Sequence, residues 1–203
     1  MARLYHEAGY DAIVVTDHLI ARKNQDMPAP DRAAWYVSGY RAAKAEGEKL
    51  GITVLLGAEA RMTGGNEDFL LFGVREDDIP WLMALLDSGA DEGEFYRAVH
   101  ETGRMLLIQA HPFREGLRQA PLDQLDGIEV YNGHPDHESH NELAMARALQ
   151  GREGFILTSG SDAHKLHHVA RGGMLTDEDI RTETALVDWL MRNPRGERIE
   201  TRP

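Results

Sequence analysis

The chain of 203 residues contains no cysteine, which excludes disulfide bonds and every zinc site built on thiolates. No apolar run approaches the roughly 18–20 residues that a membrane-spanning helix needs. The first residues lack the apolar segment of a secretory signal. Basic residues are also few, since 22 lysines and arginines face 34 aspartates and glutamates, for a net charge of −12. These absences predict a cytoplasmic protein that binds no membrane, and they argue against nucleic acid as a partner.

The remaining composition is that of an ordinary globular chain, with 42% hydrophobic and 28% charged residues. No repeat, low-complexity tract or linker divides it, so we expect a single domain over residues 1–203. An acidic chain with ten histidines is compatible with a cation site. A small phosphorylated substrate is also compatible, because one or two arginines suffice to bind a phosphate locally.

Short aliphatic runs alternate with amphipathic helical patterns along the chain. Strands are predicted at residues 12–15, 52–56, 69–72, 105–109, 127–132 and 155–158. Helices are predicted at residues 2–9, 32–50, 138–150 and 182–192, with two short ones around Leu85 and Tyr96. Asp31 is the expected N-cap of the helix at 32–50, and Gly51 is its expected C-terminal end. A polar loop is expected over residues 19–30. This alternation predicts an α/β fold with a mostly parallel sheet or a barrel.

Asp162 and His164 directly follow the predicted strand at 155–158, in a loop of small residues. On an extended backbone, side chains at positions i and i+2 point to the same side. A carboxylate and an imidazole placed in this way suit Zn, Mn or Fe. The pair therefore predicts part of a metal site at a strand's carboxyl end, where α/β folds build active sites.

Ligand-type residues also follow three other predicted strands. His18 comes after residues 12–15, Glu59 after residues 52–56, and His111 after residues 105–109. Each has a simpler explanation on its own, since His18 could cap a loop, Glu59 could pair with Arg61, and His111 could be a buried imidazole bonded to backbone. Their joint occurrence at strand ends favours a metal site.

The other polar candidates are weaker. His134, His137 and His140 recur at every third residue, and we expect them at the solvated start of a helix. His167 and His168 are expected to be exposed. Arg114 and Arg171 could bind a phosphate, although an ordinary surface position is the alternative for each.

Five segments, in this order, resemble the PHP (polymerase and histidinol phosphatase) family. They are residues 10–18, 57–59, 110–114, 127–133 and 160–164, and together they extend over most of the chain. The resemblance implies a distorted (β/α)7 barrel that binds two or three Zn, Mn or Fe ions. It also implies hydrolysis of a phosphoester.

The same resemblance suggests a role for each metal-ligand candidate. Glu59 would bridge two ions, of which Asp162 would bind one and His111 the other. His18 and His164 would hold a third ion.

Residues for catalysis and substrate binding follow from the resemblance as well. Asp17 would neighbour or orient a ligand, and either Asp17 or His164 would assist proton transfer. Arg114, Asn132 and Arg171 would bind the substrate, which we expect to be a small phosphomonoester or nucleotide.

The chain departs from the family pattern at two places. The family carries a His-x-His strand before the segment at 10–18, and this chain has no such motif; it begins inside the following helix, through either truncation or natural loss. The family also often has a histidine where this chain has Asp68, a position that could still bind metal with a changed preference. We therefore expect an incomplete barrel with exposed strand edges, weaker metal binding, and low or absent activity.

Three alternatives to a general phosphoesterase stay open. The chain could be a histidinol-phosphate phosphatase, which only a substrate screen would distinguish. It could instead be a catalytically inactive PHP-like module with a structural or regulatory role, as the absent His-x-His suggests. A polymerase-attached editing domain is disfavoured, because the chain has no room for polymerase sequence.

Overall fold

A computed structural model of the protein describes residues 1–201, within which six α-helices and ten β-strands form a mixed α/β fold. The helices are Ala2–Glu7 (α1), Ala29–Leu50 (α2), Ile79–Asp87 (α3), Glu92–Glu101 (α4), Asn141–Ala148 (α5) and Glu183–Arg192 (α6). The strands are Ala12–Val15 (β1), His18–Ile20 (β2), Thr53–Leu56 (β3), Ala58–Arg61 (β4), Asp68–Phe72 (β5), Leu106–Gln109 (β6), Gly127–Asn132 (β7), Ile156–Gly160 (β8), Gly172–Met174 (β9) and Arg198–Glu200 (β10).

Residues 12–20 and residues 53–61 run side by side in parallel, and each stretch is divided into two short strands. β1 pairs with β3, and β2 pairs with β4. Between these pairs, the amides of Gly57 and Glu59 donate to the carbonyls of Val15 and Asp17 at 2.8 and 3.0 Å. Gly57 is required here, because a Cβ would lie 2.9 Å from the carbonyl oxygen of Leu71. The interruption therefore leaves the two stretches in register, and Glu59 keeps its place beside β2.

The main sheet has six strands in the order β2-β4-β5-β6-β7-β8. Most pairings are parallel, as expected, but β5 runs antiparallel to both β4 and β6. Only residues 62–67 connect β4 to β5, which is too short for the crossover that a parallel pair needs. The antiparallel strand places Asp68, at its start, opposite Arg61 at the end of β4.

The sheet curves until its two ends approach each other. The ring of His18, which begins β2, lies 5.9 Å from that of His164, which follows β8, measured between centroids. Within residues 1–201, no strand pairing joins β1 or β2 to β8. The prediction of a distorted (β/α)7 barrel is thus confirmed as far as a mixed α/β fold, and hydrogen bonds do not close the sheet.

Alternate residues of each strand pack on opposite faces of the sheet, as the two-residue period of a strand requires. In β6, Leu107 joins the larger core beneath α2–α5, whereas Leu106 and Ile108 join a second core that contains Trp189 and Leu190 of α6. Both faces of the strand are therefore buried. This explains why the sequence there reads as a continuous apolar run.

Several predicted boundaries are corrected by the structure. Helix α2 begins at Ala29, with Pro30 in the first turn, so Asp31 lies inside that turn and is not the N-cap. Gly51 ends this helix in the left-handed conformation, with φ 80°, as predicted. Strands β2, β4, β9 and β10 were not predicted, because three or four residues are too few for a periodic pattern. None of the described helices is long and apolar enough to cross a membrane.

We predict that Gly127→Ala lowers the free energy of unfolding by about 1–3 kcal/mol, because the added methyl group overpacks the sheet. A Cβ at Gly127 would lie 2.1 Å from the carbonyl oxygen of Ile156. Urea denaturation measures the effect. Gly93→Ala in α4 is the matched control, since its nearest neighbours would be at 3.4 Å. Equal stability of the two variants would contradict the tight approach of β7 to β8.

Candidate metal centre

Six predicted ligands lie together on one side of the sheet. They line a cleft of about 320 Å³. The six residues are His18, Glu59, Asp68, His111, Asp162 and His164. The antiparallel direction of β5 is what brings Asp68 to this side, since it lies at the strand's beginning and not at its end. These residues are thus neighbours in space, as the sequence predicted.

Glu59 lies at the centre of the group, between two imidazoles. Its Oε1 is 3.2 Å from Nε2 of His111, and its Oε2 is 3.1 Å from Nδ1 of His18. The carboxylate is buried, with 6% of the residue exposed. Burial, reinforced by the negative charge of Asp68, raises the pKa of Glu59 to about 7. Glu59 is therefore a carboxylate whose charge the surrounding side chains do not fully compensate.

The chain places His111 and Asp162 in the left-handed backbone region, with φ of 29° and 47°. Residues with a Cβ rarely adopt this region, and those that do concentrate at functional sites. Glu129 holds the backbone at His111 in place, because its Oε2 accepts the amide hydrogen of His111 at 2.9 Å. Both strained residues are predicted metal ligands, which is an independent sign that this is the functional part of the molecule.

Glu129 is a site residue to which sequence reasoning assigned no role. It lies in β7, is buried, and also accepts a hydrogen bond from Nδ2 of Asn132 at 3.0 Å. Burial raises the pKa of Glu129 to about 7. The signal was available, since a glutamate inside an apolar strand is the same pattern that singled out Glu59.

Two arginines pair with carboxylates of the predicted ligand set. Arg61 binds Asp68 through two hydrogen bonds of 2.7 and 2.6 Å. Arg114 donates to Asp162 at 2.7 Å. Burial alone would raise the pKa of Asp162, but Arg114 outweighs it and holds that pKa below its usual value. Asp68 and Asp162 are thus already neutralised by the protein, whereas Glu59 is not.

Asn132 is buried, and its side chain hydrogen-bonds to several residues of the site. Its side chain donates to Glu129 and, at 3.3 Å, to Asp162, and it accepts from Arg114 at 3.2 Å. It also accepts the amide hydrogen of His134 at 3.1 Å. Its hydrogen bonds are therefore used to hold neighbouring groups, although we had predicted a contact with substrate.

Asp17 and Arg171 are two candidates that the structure does not bring into the cleft. The Asp17 carboxylate lies towards α2, with Oδ2 3.3 Å from where a Cβ on Gly39 would be. The guanidinium of Arg171 donates from Nε to the carbonyl of Gly133 at 2.9 Å. Neither residue borders the cleft.

The expected exposure of several histidines was wrong. His134 is 8% exposed and His168 only 1%, and both border the cleft. His137 is exposed but also borders it, together with Asp136 and Lys165. These residues lie in the loops after β7 and β8, which fold over each other, and sequence spacing carries no signal of that contact. His167 is exposed, as predicted.

Comparisons with known proteins concern the fold and one segment of the chain. A family model described as PHP-associated matches residues 139–193, a segment that includes β8 and the Asp162–His164 loop. A two-domain protein from Bacteroides vulgatus, described as containing a predicted PHP-like metal-dependent phosphoesterase, has a similar structure with a TM-score of 0.59. Part of the chain thus matches a PHP-associated family model, and its fold resembles that of a PHP-like protein.

The likeness to the Bacteroides protein concerns the fold, because the two sequences are only 20% identical. It covers 96% of this chain, and this chain spans 57% of that protein's length. A structure from Bifidobacterium adolescentis, with an inferred assignment as a metal-dependent phosphoesterase, is 15% identical and has a TM-score of 0.48, too low to support the fold. That match covers 94% of this chain and 90% of the other. A search of curated proteins found no match.

The residues present fit a divalent cation. His18, Glu59 and Asp68 offer ligand atoms that lie within 4.8 Å of one another. Nδ1 of His111 is buried without a hydrogen-bond partner in the described part of the chain. Nδ1 of His18 is close to Glu59 but not in hydrogen-bond geometry with it. Imidazole nitrogens beside an uncompensated carboxylate are a suitable donor set for Zn, Mn or Fe.

We predict that Arg61→Gln lowers the free energy of unfolding of the metal-free protein by roughly 1–3 kcal/mol, because Asp68 stays buried without its partner. Adding Zn²⁺ should stabilise this variant more than the wild type, since Asp68 is then free to bind an ion. Thermal denaturation with and without Zn²⁺ measures both effects. Arg41→Gln, which removes an exposed pair with Glu76, is the control. An equal response to Zn²⁺ in wild type and Arg61→Gln would argue against Asp68 as a ligand.

We predict that Glu129→Gln flattens the pH dependence of stability in the metal-free protein. The folded pKa of about 7 lies above the ordinary glutamate pKa of 4.5, so the folded state binds the proton more tightly than the unfolded state. Stability from Glu129 is therefore full below about pH 4.5 and is lost as the pH rises to about 7. Urea denaturation across this range checks the change in slope, with exposed Glu48→Gln as the control. An unchanged slope would show that Glu129 ionises normally. Glu59 contributes a dependence of the same sign, so some slope should remain.

Proposed function

We propose that the protein is a metal-dependent phosphoesterase that hydrolyses a small phosphomonoester or nucleotide. The observation that carries the proposal is the position of Glu59, buried between the imidazoles of His18 and His111 with its pKa raised to about 7. A buried carboxylate in that state is stabilised by a cation. The PHP-like fold supports the same function for the whole protein.

The proposed ligands are His18, Glu59, Asp68, His111, Asp162 and His164, which would hold two or three Zn, Mn or Fe ions. The mixture of imidazoles and carboxylates supports this choice of metals. Asp68 and Asp162 would have to exchange an arginine for an ion. That exchange keeps the negative charge of each carboxylate compensated, since the ion replaces the arginine as its positive partner.

When bound, such ions lower the pKa of a water molecule and polarise the phosphoryl group. The chain's own contribution begins with Arg114, whose Nη2 donates to Asp162 and Asn132. Arg114 borders the cleft, where its guanidinium can bind a phosphate oxygen. Asn132 fixes the direction of the guanidinium.

Of the two candidates for proton transfer, we assign the role to His164. It borders the cleft, whereas Asp17 does not. Nδ1 of His164 is 3.0 Å from the carbonyl oxygen of Asp162, so Nδ1 carries the hydrogen and Nε2 is the basic nitrogen. Nε2 can then move a proton to or from the substrate when two ions are bound. In the alternative with three ions, Nε2 would be a ligand and would not transfer the proton.

We also propose that the curved sheet is a distorted (β/α)7-type barrel that is open between β2 and β8. The 5.9 Å separation of His18 and His164 supports this description, because it requires the two ends of the sheet to face one cleft. An open side next to the ligands would allow a substrate to enter.

A catalytically inactive PHP-like module is the second candidate. The arginine pairs at Asp68 and Asp162 favour it, since they neutralise two carboxylates without any ion. Metal content and phosphomonoester hydrolysis, measured on the same protein, decide between the two functions.

We predict that tag-free protein purified with Zn²⁺ or Mn²⁺ retains about one or more equivalents of metal, which Asp162→Ala, His164→Ala removes. Elemental analysis measures this. Hydrolysis of p-nitrophenyl phosphate should depend on the same metal and fall at least about tenfold in the double variant. Asp179→Ala, His6→Ala, two exposed residues outside the cleft, is the control. Metal-loaded protein without hydrolysis of any phosphomonoester would support the inactive module.

A further inference from the structure

A group of residues borders the cleft beside the proposed metal ligands, and we call it the histidine rim. It comprises His134, Asp136, His137, Lys165 and His168. The rings of His134 and His168 are 4.2 Å apart between centroids, and that of His134 is 5.6 Å from His164. The rim therefore continues the site outwards from His164, and no role has been given to it so far.

Backbone amides fix the position of the hydrogen on two of these rings. The amide of Asp136 donates to Nδ1 of His134 at 3.1 Å, and the amide of His164 donates to Nδ1 of His168 at 3.3 Å. A backbone N–H can only donate, so each Nδ1 must accept. In a neutral imidazole only one nitrogen can accept a hydrogen bond, and the other nitrogen carries the hydrogen. Both rings are thus Nε2–H donors.

The side chain of Asp136 organises the rest of the rim. It accepts from Nζ of Lys165 at 2.9 Å and from Nε2 of His168 at 3.2 Å. His168 therefore uses its Nε2–H within the protein. Nε2 of His134 makes no hydrogen bond to any side chain or backbone group in the described chain, and the ring borders the cleft.

This proton placement argues against the rim as a further ion site. His134, His164 and His168 offer nitrogens within 4.8 Å of one another, a spacing that would suit a metal. To ligate through Nε2, however, His134 and His168 would each have to move a hydrogen to Nδ1 and give up a backbone hydrogen bond. A metal-ligating histidine instead has a hydrogen-bond acceptor next to its other nitrogen.

We propose that His134 donates its Nε2–H to an oxyanion of the substrate and is a binding residue, not a metal ligand. This inference rests on the proposed function, which supplies a phosphorylated substrate. The oxyanion is one of the phosphoryl oxygens. Lys165, held by Asp136 at the same rim, supplies a positive charge nearby. The cleft, at about 320 Å³, falls within the usual range for small-molecule sites.

The first test measures the hydrogen position by two-bond ¹H–¹⁵N correlation spectra of the histidine rings. We expect His134 and His168 in the Nε2–H form in metal-free protein. After Zn²⁺ is added, both should keep that form while the signals of His18 and His111 change. An Nδ1–H form of His134, or Zn²⁺ bound directly to its Nε2, would overturn the proposal.

The second test measures binding of inorganic phosphate by calorimetry, with metal-free and with Zn²⁺-loaded protein. His134→Ala should weaken binding about tenfold, the loss of one hydrogen bond to a charged group. His134→Gln should retain much of the affinity, because its amide N–H₂ can replace Nε2–H. His140→Ala, in the same loop but outside the cleft lining, is the control. Equal affinity in wild type and His134→Ala, or no phosphate binding in either metal state, would overturn the proposal.

Two competitors locate the oxyanion. If His134 holds the phosphoryl group, His134→Ala should weaken methylphosphonate and phosphonoacetate equally. Weaker binding of phosphonoacetate alone would place His134 at the carboxylate instead and would overturn the proposal. Neither test needs turnover, so failure of phosphomonoester hydrolysis would count against the proposed function alone. Hydrolysis with unchanged phosphate affinity in His134→Ala would count against the His134 role alone.

Discussion

A carboxylate buried directly between two imidazoles is the constraint on which the site depends. Glu59 has its two oxygens next to His18 and His111, and burial favours its neutral form. An ionised carboxylate in such a place is costly unless a positive charge lies beside it. The fold brings the imidazoles there by curving the sheet, by interrupting the strand at Gly57, and by setting His111 in a left-handed turn. All three features place the imidazole rings of His18 and His111 next to the carboxylate of Glu59.

Charge is distributed unevenly around that carboxylate. Arg61 and Arg114 neutralise Asp68 and Asp162, and Lys165 neutralises Asp136 at the rim. Glu59 has only imidazoles, whose charge depends on pH and on what else they bind. A cation entering the cleft would therefore interact first with Glu59. The arginines could then turn from carboxylates to a phosphate, so cation binding and substrate binding would be coupled through shared partners.

The strand-end residues could be predicted because their positions follow from local rules. A β-branched run such as residues 12–15 fixes a strand, and the polar residue after it must lie at the strand's carboxyl end. The antiparallel direction of β5 was not predicted, although the short connection at 62–67 was a signal for it. The burial of His134 and His168 carried no local signal, because it arises where the loops after β7 and β8 pack together.

The sequence by itself determined the strand-helix alternation, the set of ligand-type residues, and their place at the ends of strands. These follow from side-chain periodicity and residue chemistry, which act over a few neighbouring positions. Only the tertiary structure decided that Asp17 turns towards α2, that the arginines pair with Asp68 and Asp162, and that Nδ1 of His134 accepts a backbone hydrogen bond beside the cleft. Those outcomes depend on contacts between segments distant in the chain. Direction, pairing and hydrogen position are properties of such contacts, and spacing along a sequence does not contain them.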